Sequence, residues 1–196
     1  DVCSSDLENN NAWVLGGSIR PDPKIKEKGQ NCAALFDPTG KKVGSYAKTH
    51  LFSPSGEREV HIQGNEVSVF DIGGLSFCPL ICYDLRFPEL FRLGVEKGAE
   101  AFAVLACWPK QRTNHWKVLL QARAIENQSY VIGVNRTGEE PGVQYAGNSM
   151  IIDPKGSILC EASAEEALLE ADLIKNEPKE WRKSFPALSD RREDLI

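Results

Sequence analysis

Two cysteines in this sequence stand where a reactive thiol would have to stand. Cys82 follows the apolar run Leu75–Ile81 and opens the stretch CYDLRFPE, so a strand should end at it and a helix should begin just beyond. Such an elbow would hold the thiol at the sheet edge. There, backbone N–H groups and the positive end of the next helix favour thiolate over an ordinary pKa of about 8.5, and can hold a developing oxyanion. Cys107 ends a similar run, Val104-Leu105-Ala106-Cys107, and topology alone does not separate the two. Composition alone would make Cys82 a core thiol, since free cysteine is among the most buried residue types.

Lys48 lies in YAKTHLF, embedded among aromatic and apolar neighbours as a partly buried cation would be. By itself such a lysine more often snorkels to solvent. Beside a thiol its ammonium would stabilise both the thiolate and a tetrahedral oxyanion. Glu57, in the polar stretch Gly56-Glu57-Arg58-Glu59, could accept a hydrogen bond from that lysine and help place a leaving amine. Cys78 within a strand and Cys32 within a hairpin read as core thiols. A Cys78–Cys82 disulfide is disfavoured, because an extended strand separates those Cα atoms by ~13 Å.

These residues need a scaffold, and the totals allow one. The chain has 196 residues, 41% of them apolar, enough for one substantial domain. Its net charge of -5 and the lack of a basic block disfavour nucleic acid or an anionic membrane as partners. No apolar run approaches the ~20 residues of a membrane span and no signal-peptide pattern opens the sequence, so the cytoplasm is the default location. The six cysteines are irregularly spaced, without CxxC pairs, which points to reduced thiols and no metal site. Asp1–Leu7 (DVCSSDL) resembles the translation of a sequencing-adapter oligonucleotide and is set aside from the fold reading. Read as native, it would be a helix start capped by Ser4 or Ser5.

Hydrophobic patterning predicts a strand over 12–19, a polar loop to Gln30, and a hairpin of 31–37 with 43–46, so that Lys48 follows a strand end. A second hairpin pairs 67–71 with 75–81 across Gly73-Gly74. Beyond it come a helix over 88–96 with Leu90, Leu93 and Gly94 inward, a strand over 101–106, and a helix over 116–127 with Val118, Leu119, Ala122 and Ile125 on one face. Strands follow at 130–135, 149–153, 158–162 and 168–174, then a terminal helix over 177–184. Interleaved strands and helices make the class α/β.

Four stretches together resemble the nitrilase superfamily of carbon-nitrogen hydrolases, and especially its omega-amidase branch: YAKTHLF (46–52), EREVHIQGN (57–65), LICYDLRFPE (80–89), and the run from Trp108-Pro109 through His115-Trp116 to Ala122–Asn127. The likeness continues through YAGNS (145–149) and Pro154-Lys155-Gly156 to Phe185-Pro186, and covers the sequence from Trp13 onward. It implies a four-layer α-β-β-α sandwich, here over residues 12–196 and without its first strand-helix-strand segment, which usually pairs into homodimers. It also implies a glutamate, lysine, cysteine triad, with the lysine at Lys48, the cysteine at Cys82 and an auxiliary glutamate at Glu57. The general-base glutamate belongs to the earlier segment, and Glu8 does not match its motif. The stretch as it stands is therefore expected to be inactive or barely folded, and its untruncated parent an active amidase.

The implied reaction needs no metal or organic cofactor. Cys82 attacks a small-molecule amide, the oxyanion rests on Lys48 and the backbone N–H of Tyr83, ammonia leaves, and water hydrolyses a thioester. Trp108 and Arg112 are the candidate substrate contacts, Arg112 because a guanidinium suits the far carboxylate of an omega-amide acid. Arg86 is expected to pair with Asp84 or Glu89, and Glu126 to sit near Arg123. Deaminated glutathione and N-carbamyl compounds are alternative substrates. The rival classes are a Cys-His hydrolase using His50, His61 or His115, and a non-catalytic binding module.

Overall fold

The computed structural model describes residues 4–21, 28–192 and 194. A short helix, α1 (Ser4–Asn10), comes first and buries Leu7. β1 (Val14–Pro21), β2 (Gly29–Phe36) and β3 (Lys42–Ala47) then form an antiparallel sheet in chain order. The expected polar loop falls largely on residues 22–27, outside the described residues, as does Cys3. The turn from β2 to β3 is held by the Asp37 carboxylate, which accepts from the Thr39 hydroxyl and from the N–H groups of Thr39 and Lys41.

α2 (Glu57–Val60) is a single turn. β4 (Phe70–Ile72) pairs with β5 (Leu75–Ile81) across Gly73 and Gly74, both at positive φ. β4 is shorter than the predicted 67–71, because Val67 leaves the ladder: its side chain enters the core and its carbonyl accepts from Lys97 Nζ at 2.7 Å. α3 (Pro88–Glu96), β6 (Ala101–Ala106), α4 (Thr113–Asn127) and β7 (Tyr130–Asn135) follow, making β5, β6 and β7 parallel neighbours with helical crossovers. β8 (Thr137–Glu140) and β9 (Val143–Ala146) form a separate hairpin, β10 (Met150–Ile152) and β11 (Ile158–Glu161) extend the larger sheet, and α5 (Glu177–Ser184) closes the order. The larger sheet runs β11-β10-β7-β6-β5-β4.

One apolar core joins the layers. Phe91 of α3 and Leu120 of α4 pack on one face of the larger sheet, while Ala33 and Tyr46 of the smaller sheet belong to the same cluster as Leu80 and Val104. Burial on both faces is why β5, β6 and β7 read as continuous apolar runs rather than alternating ones.

The structure departs from the sequence reading in four further places. Residues 168–174 form no strand: Leu168 and Ile174 are exposed, and the Ile174 N–H donates to the Tyr130 hydroxyl at 3.1 Å instead of to a ladder. In α3 the inward residues are Leu90, Phe91 and Gly94, and Leu93 faces solvent. In α4 the buried side is Trp116, Leu120, Arg123, Ala124 and Asn127, leaving Val118 and Ile125 exposed. Gly133 on β7 selects that side, since a Cβ there would lie 2.4 Å from Leu120 Cδ1 and 2.8 Å from Trp116 Cζ2. The β8–β9 hairpin was not predicted, because Pro141-Gly142 interrupts a stretch that is mostly polar.

Candidate functional site

The parallel register of β5, β6 and β7 sets Ile81 beside Leu105 and Leu105 beside Val134, so the three strands deliver Cys82, Cys107 and Asn135 to one sheet edge. Clefts beyond the carboxyl ends of parallel strands are where α/β folds bind ligands. A cavity of about 910 Å³ lies there, lined by Cys82, Tyr83, Lys48, Glu57, Cys107, Trp108 and Arg112 among others.

Cys82 has φ +49, a left-handed conformation that costs a non-glycine residue about 1–2 kcal/mol, and it opens a 3-10 turn over Cys82–Arg86. That turn corrects the sequence reading, in which the helix end lay beside the thiol: α3 begins only at Pro88, too far on to act on it. Burial accordingly pushes the Cys82 thiol up to about 11, and Lys48 is the strongest influence in the opposite direction. The thiol points at the Cys107 carbonyl, 4.0 Å away. Tyr83, second in the turn, has an N–H with no partner inside that turn.

Lys48 is buried, 3% exposed, and its Nζ donates to Glu57 Oε2 at 2.5 Å. Its main chain is pinned on both sides, the N–H to the Asn31 carbonyl and the carbonyl to the Gly64 N–H, each at 2.8 Å. Only glycine permits that second approach, because a Cβ at Gly64 would lie 2.2 Å from the Ala47 carbonyl oxygen. Glu57 also accepts from the Phe52 N–H at 2.6 Å and from Asn31 Nδ2 at 3.2 Å. Burial raises the Glu57 carboxyl, but the Lys48 ammonium and these donors outweigh it and hold the group below its ordinary value.

A residue the sequence reading treated only as a pairing partner for Arg86 organises both loops. Asp84 is fully buried and accepts from the Tyr46 hydroxyl at 2.8 Å, the Ile81 N–H at 3.0 Å and the His50 N–H at 2.9 Å. Arg86 is therefore not its partner. The Arg86 guanidinium lies 4.7 Å over the Trp108 ring and reaches His115 Nδ1 at 3.3 Å. Glu126 sits beside Arg123 as expected and accepts from it at 2.8 Å, and Arg123 is itself buried and also donates to the Leu85 carbonyl at 2.9 and 3.1 Å, bracing the Cys82 turn.

Trp108 is buried against Trp116, and its N–H donates to Asn135 Oδ1 at 2.7 Å. Asn135 Nδ2 returns bonds to the carbonyls of Trp108 and Gly147, locking that part of the cavity wall. Arg112 lines the cavity with its guanidinium 5.6 Å over the Phe52 ring. Arg136, just after β7, forms a further wall with Glu140 and Tyr145 of the unpredicted β8–β9 hairpin, Arg136 bonding Glu140 at 2.7 Å and Tyr145 bonding the same carboxylate. His50 stacks on Phe87 and meets Asp84, and none of His50, His61 or His115 lines the cavity. Among the described residues no His, Cys, Asp and Glu side chains cluster as a metal site would require.

A family model described as "Carbon-nitrogen hydrolase" matches residues 3–183. The chain belongs to the carbon-nitrogen hydrolase family. It is 44% identical over 203 residues to the 2-oxoglutaramate amidase of Paenarthrobacter nicotinovorans, an alignment covering 98% of this chain and 68% of that protein. To the 2-oxoglutaramate amidase of Bacillus subtilis (strain 168) it is 42% identical over 165 residues, 84% of this chain and 64% of the relative. The chain thus spans about two thirds of the length of these curated relatives. A solved amidase from Nesterenkonia sp. AN1, in which the acetamide moiety of fluoroacetamide is added covalently to the active-site cysteine, superposes with a TM-score of 0.84 at 28% identity, covering 98% of this chain and 69% of that one. The same Nesterenkonia amidase is described as a member of the nitrilase superfamily, so the fold of this carbon-nitrogen hydrolase is that of the superfamily, an α/β architecture built on two stacked sheets.

Proposed function

We propose that this family member hydrolyses the terminal amide of a short carboxylic acid, with Cys82 as nucleophile. The observation that carries the reading is the convergence of a strained, cavity-lining cysteine with a buried Lys48–Glu57 ion pair at the same sheet edge. The Cys82 sulfur attacks the amide carbon. The carbonyl electron pair moves to oxygen, and Lys48 Nζ and the Tyr83 N–H receive the oxyanion. Collapse of that adduct breaks the C–N bond, and ammonia leaves after taking up a proton. A thioester on Cys82 remains, water attacks it, and the acid departs as the thiol is restored.

Because the resting thiol is protonated, attack requires a base. Neither cavity carboxylate is free to serve: Glu57 is held by Lys48 and Glu140 by Arg136 and Tyr145. The resemblance gives that role to a glutamate upstream of the matched motifs. Glu57 instead holds Lys48 in place as a charged donor. Arg112 and Trp108 bind the far end of the substrate, and the protein acts as a homodimer in the cytoplasm with no metal or organic cofactor. The names of the two 2-oxoglutaramate amidases favour an omega-amide acid as substrate. Ammonia release by the full-length protein, from a panel of short omega-amide acids led by 2-oxoglutaramate, tests the reading against a Cys82→Ala control. Release that survives the substitution overturns the nucleophile, and release only from amides lacking a distant carboxylate overturns the substrate class.

A further inference from the structure

The proposed reaction leaves one cavity thiol idle. Cys107 is exposed, directly follows β6 next to the turn that carries Cys82, and lines the same cavity. Cys82 Sγ already faces the Cys107 main chain at 4.0 Å. Parallel pairing of Ile81 with Leu105 puts Cys82 one residue, and Cys107 two residues, past a matched pair. Continued as ideal strands from that pair, the two Cα atoms would lie about 6 Å apart, inside the range of roughly 4.4–6.8 Å that a disulfide spans, and the contact from Cys82 Sγ to the Cys107 carbonyl keeps the residues adjacent although Cys82 turns left-handed. The other described cysteines are placed less well. Cys78 is fully enclosed, Cys32 reaches the cavity wall with only 2% of its surface exposed, and Cys160 sits on β11 at the far edge of the sheet.

We propose that Cys82 and Cys107 form a reversible disulfide when the protein meets a hydroperoxide, so that the cavity carries its own redox switch. Cys107 is the entry point, being the accessible thiol and lying near enough to the Arg136 guanidinium for the two to interact electrostatically. Its sulfur attacks the peroxide, an S–O bond forms as the O–O bond breaks, and the departing oxygen takes the thiol proton and leaves as water, or as an alcohol from an organic hydroperoxide. Cys82 then attacks the Cys107 sulfur, the S–S bond forms, the S–O bond breaks, and hydroxide takes the Cys82 proton to leave as water. Two thiols lose two electrons and two protons, and one hydroperoxide is reduced. A thiol reductant reverses the bond. The loss of turnover rests on the reading of Cys82 as nucleophile; formation of the bond does not.

The test treats the full-length protein with hydrogen peroxide, blocks remaining thiols, and digests it without reductant. Cleavage after Arg58, Arg86, Lys97 and Lys110 puts Cys82 and Cys107 on separate peptides. The expected product is a joined pair lighter by two hydrogens, with fragmentation assigning the bond to Cys82 rather than Cys78. Turnover should fall in step with it and return with dithiothreitol, and Cys107→Ser should slow that inactivation about tenfold. A bond from Cys82 to Cys32, or no joined peptide while turnover is lost, overturns the proposal, as does equal inactivation of wild type and Cys107→Ser. A joined peptide with undiminished turnover retains the disulfide and overturns the role of Cys82 as nucleophile.

Discussion

His50 donates its backbone N–H to Asp84 Oδ1 at 2.9 Å, joining the loop that follows Lys48 to the turn that opens at Cys82. The other oxygen of the same carboxylate takes the Tyr46 hydroxyl and the Ile81 N–H, so residues just before and after Lys48, and the residue before Cys82, share one buried anion. Two segments far apart in sequence are thereby held at one separation.

Replacing Asp84 by asparagine keeps the shape and removes the charge. One amide NH2 must then face donors that previously met a carboxylate oxygen, so stability should fall by about 1–3 kcal/mol. Urea unfolding reads this directly, and an unchanged midpoint would show that Asp84 does not hold the two segments together. Amide turnover should fall as well, since Lys48 and Cys82 lose their common anchor.

Lys48→Met leaves Glu57 buried without its cation, which should cost about 3–5 kcal/mol. It also removes the strongest influence lowering the Cys82 thiol, so the pKa should move above about 11. Alkylation of Cys82 by iodoacetamide should rise about tenfold per pH unit below that value in the wild type, and should lag at every pH in the variant. Equal alkylation profiles would separate Lys48 from the thiol, and full turnover by Lys48→Met would remove it from the mechanism.

Glu57 has its carboxyl held below the ordinary value in the folded protein, so the unfolded state binds its proton more readily. The stability it contributes is present above its unfolded pKa of about 4.3 and is lost as pH falls through the lower folded value. Acid unfolding of Glu57→Gln should therefore depend less on pH in that window than acid unfolding of the wild type. Parallel curves would assign the pH dependence to other groups.

Arg112→Ala should raise KM for an amide bearing a distant carboxylate by about 10- to 100-fold, the worth of a charge-assisted hydrogen bond. A neutral amide of similar length should be much less affected. Equal losses on both substrates would make Arg112 a support for Phe52 and not a substrate contact.

Gly133→Ala should lower stability by about 1–3 kcal/mol through overpacking, because its methyl would meet Leu120 and Trp116 within the α4 interface. A melting temperature equal to that of the wild type would mean that α4 can shift without cost.

Local pattern in the sequence was sufficient for the strand ends at Cys82 and Lys48, for α3 and α5 at their observed bounds, and for the hairpin turn at Asp37–Lys41. Each of these depends on neighbours within a few residues, through apolar runs, turn-forming side chains or proline at a helix start. Tertiary structure alone decided the buried side of α4, where the bare Cα of Gly133 accepts Trp116 and Leu120 and turns Val118 and Ile125 outward. It also decided that Asp84 bonds Tyr46, Ile81 and His50 instead of Arg86, that Arg123 goes inward to the Leu85 carbonyl, and that Cys82 meets a 3-10 turn in place of a helix end. Those outcomes turn on which polar groups the packing leaves unsatisfied, and a buried donor or acceptor takes the partner that is nearest in space whatever its distance along the chain.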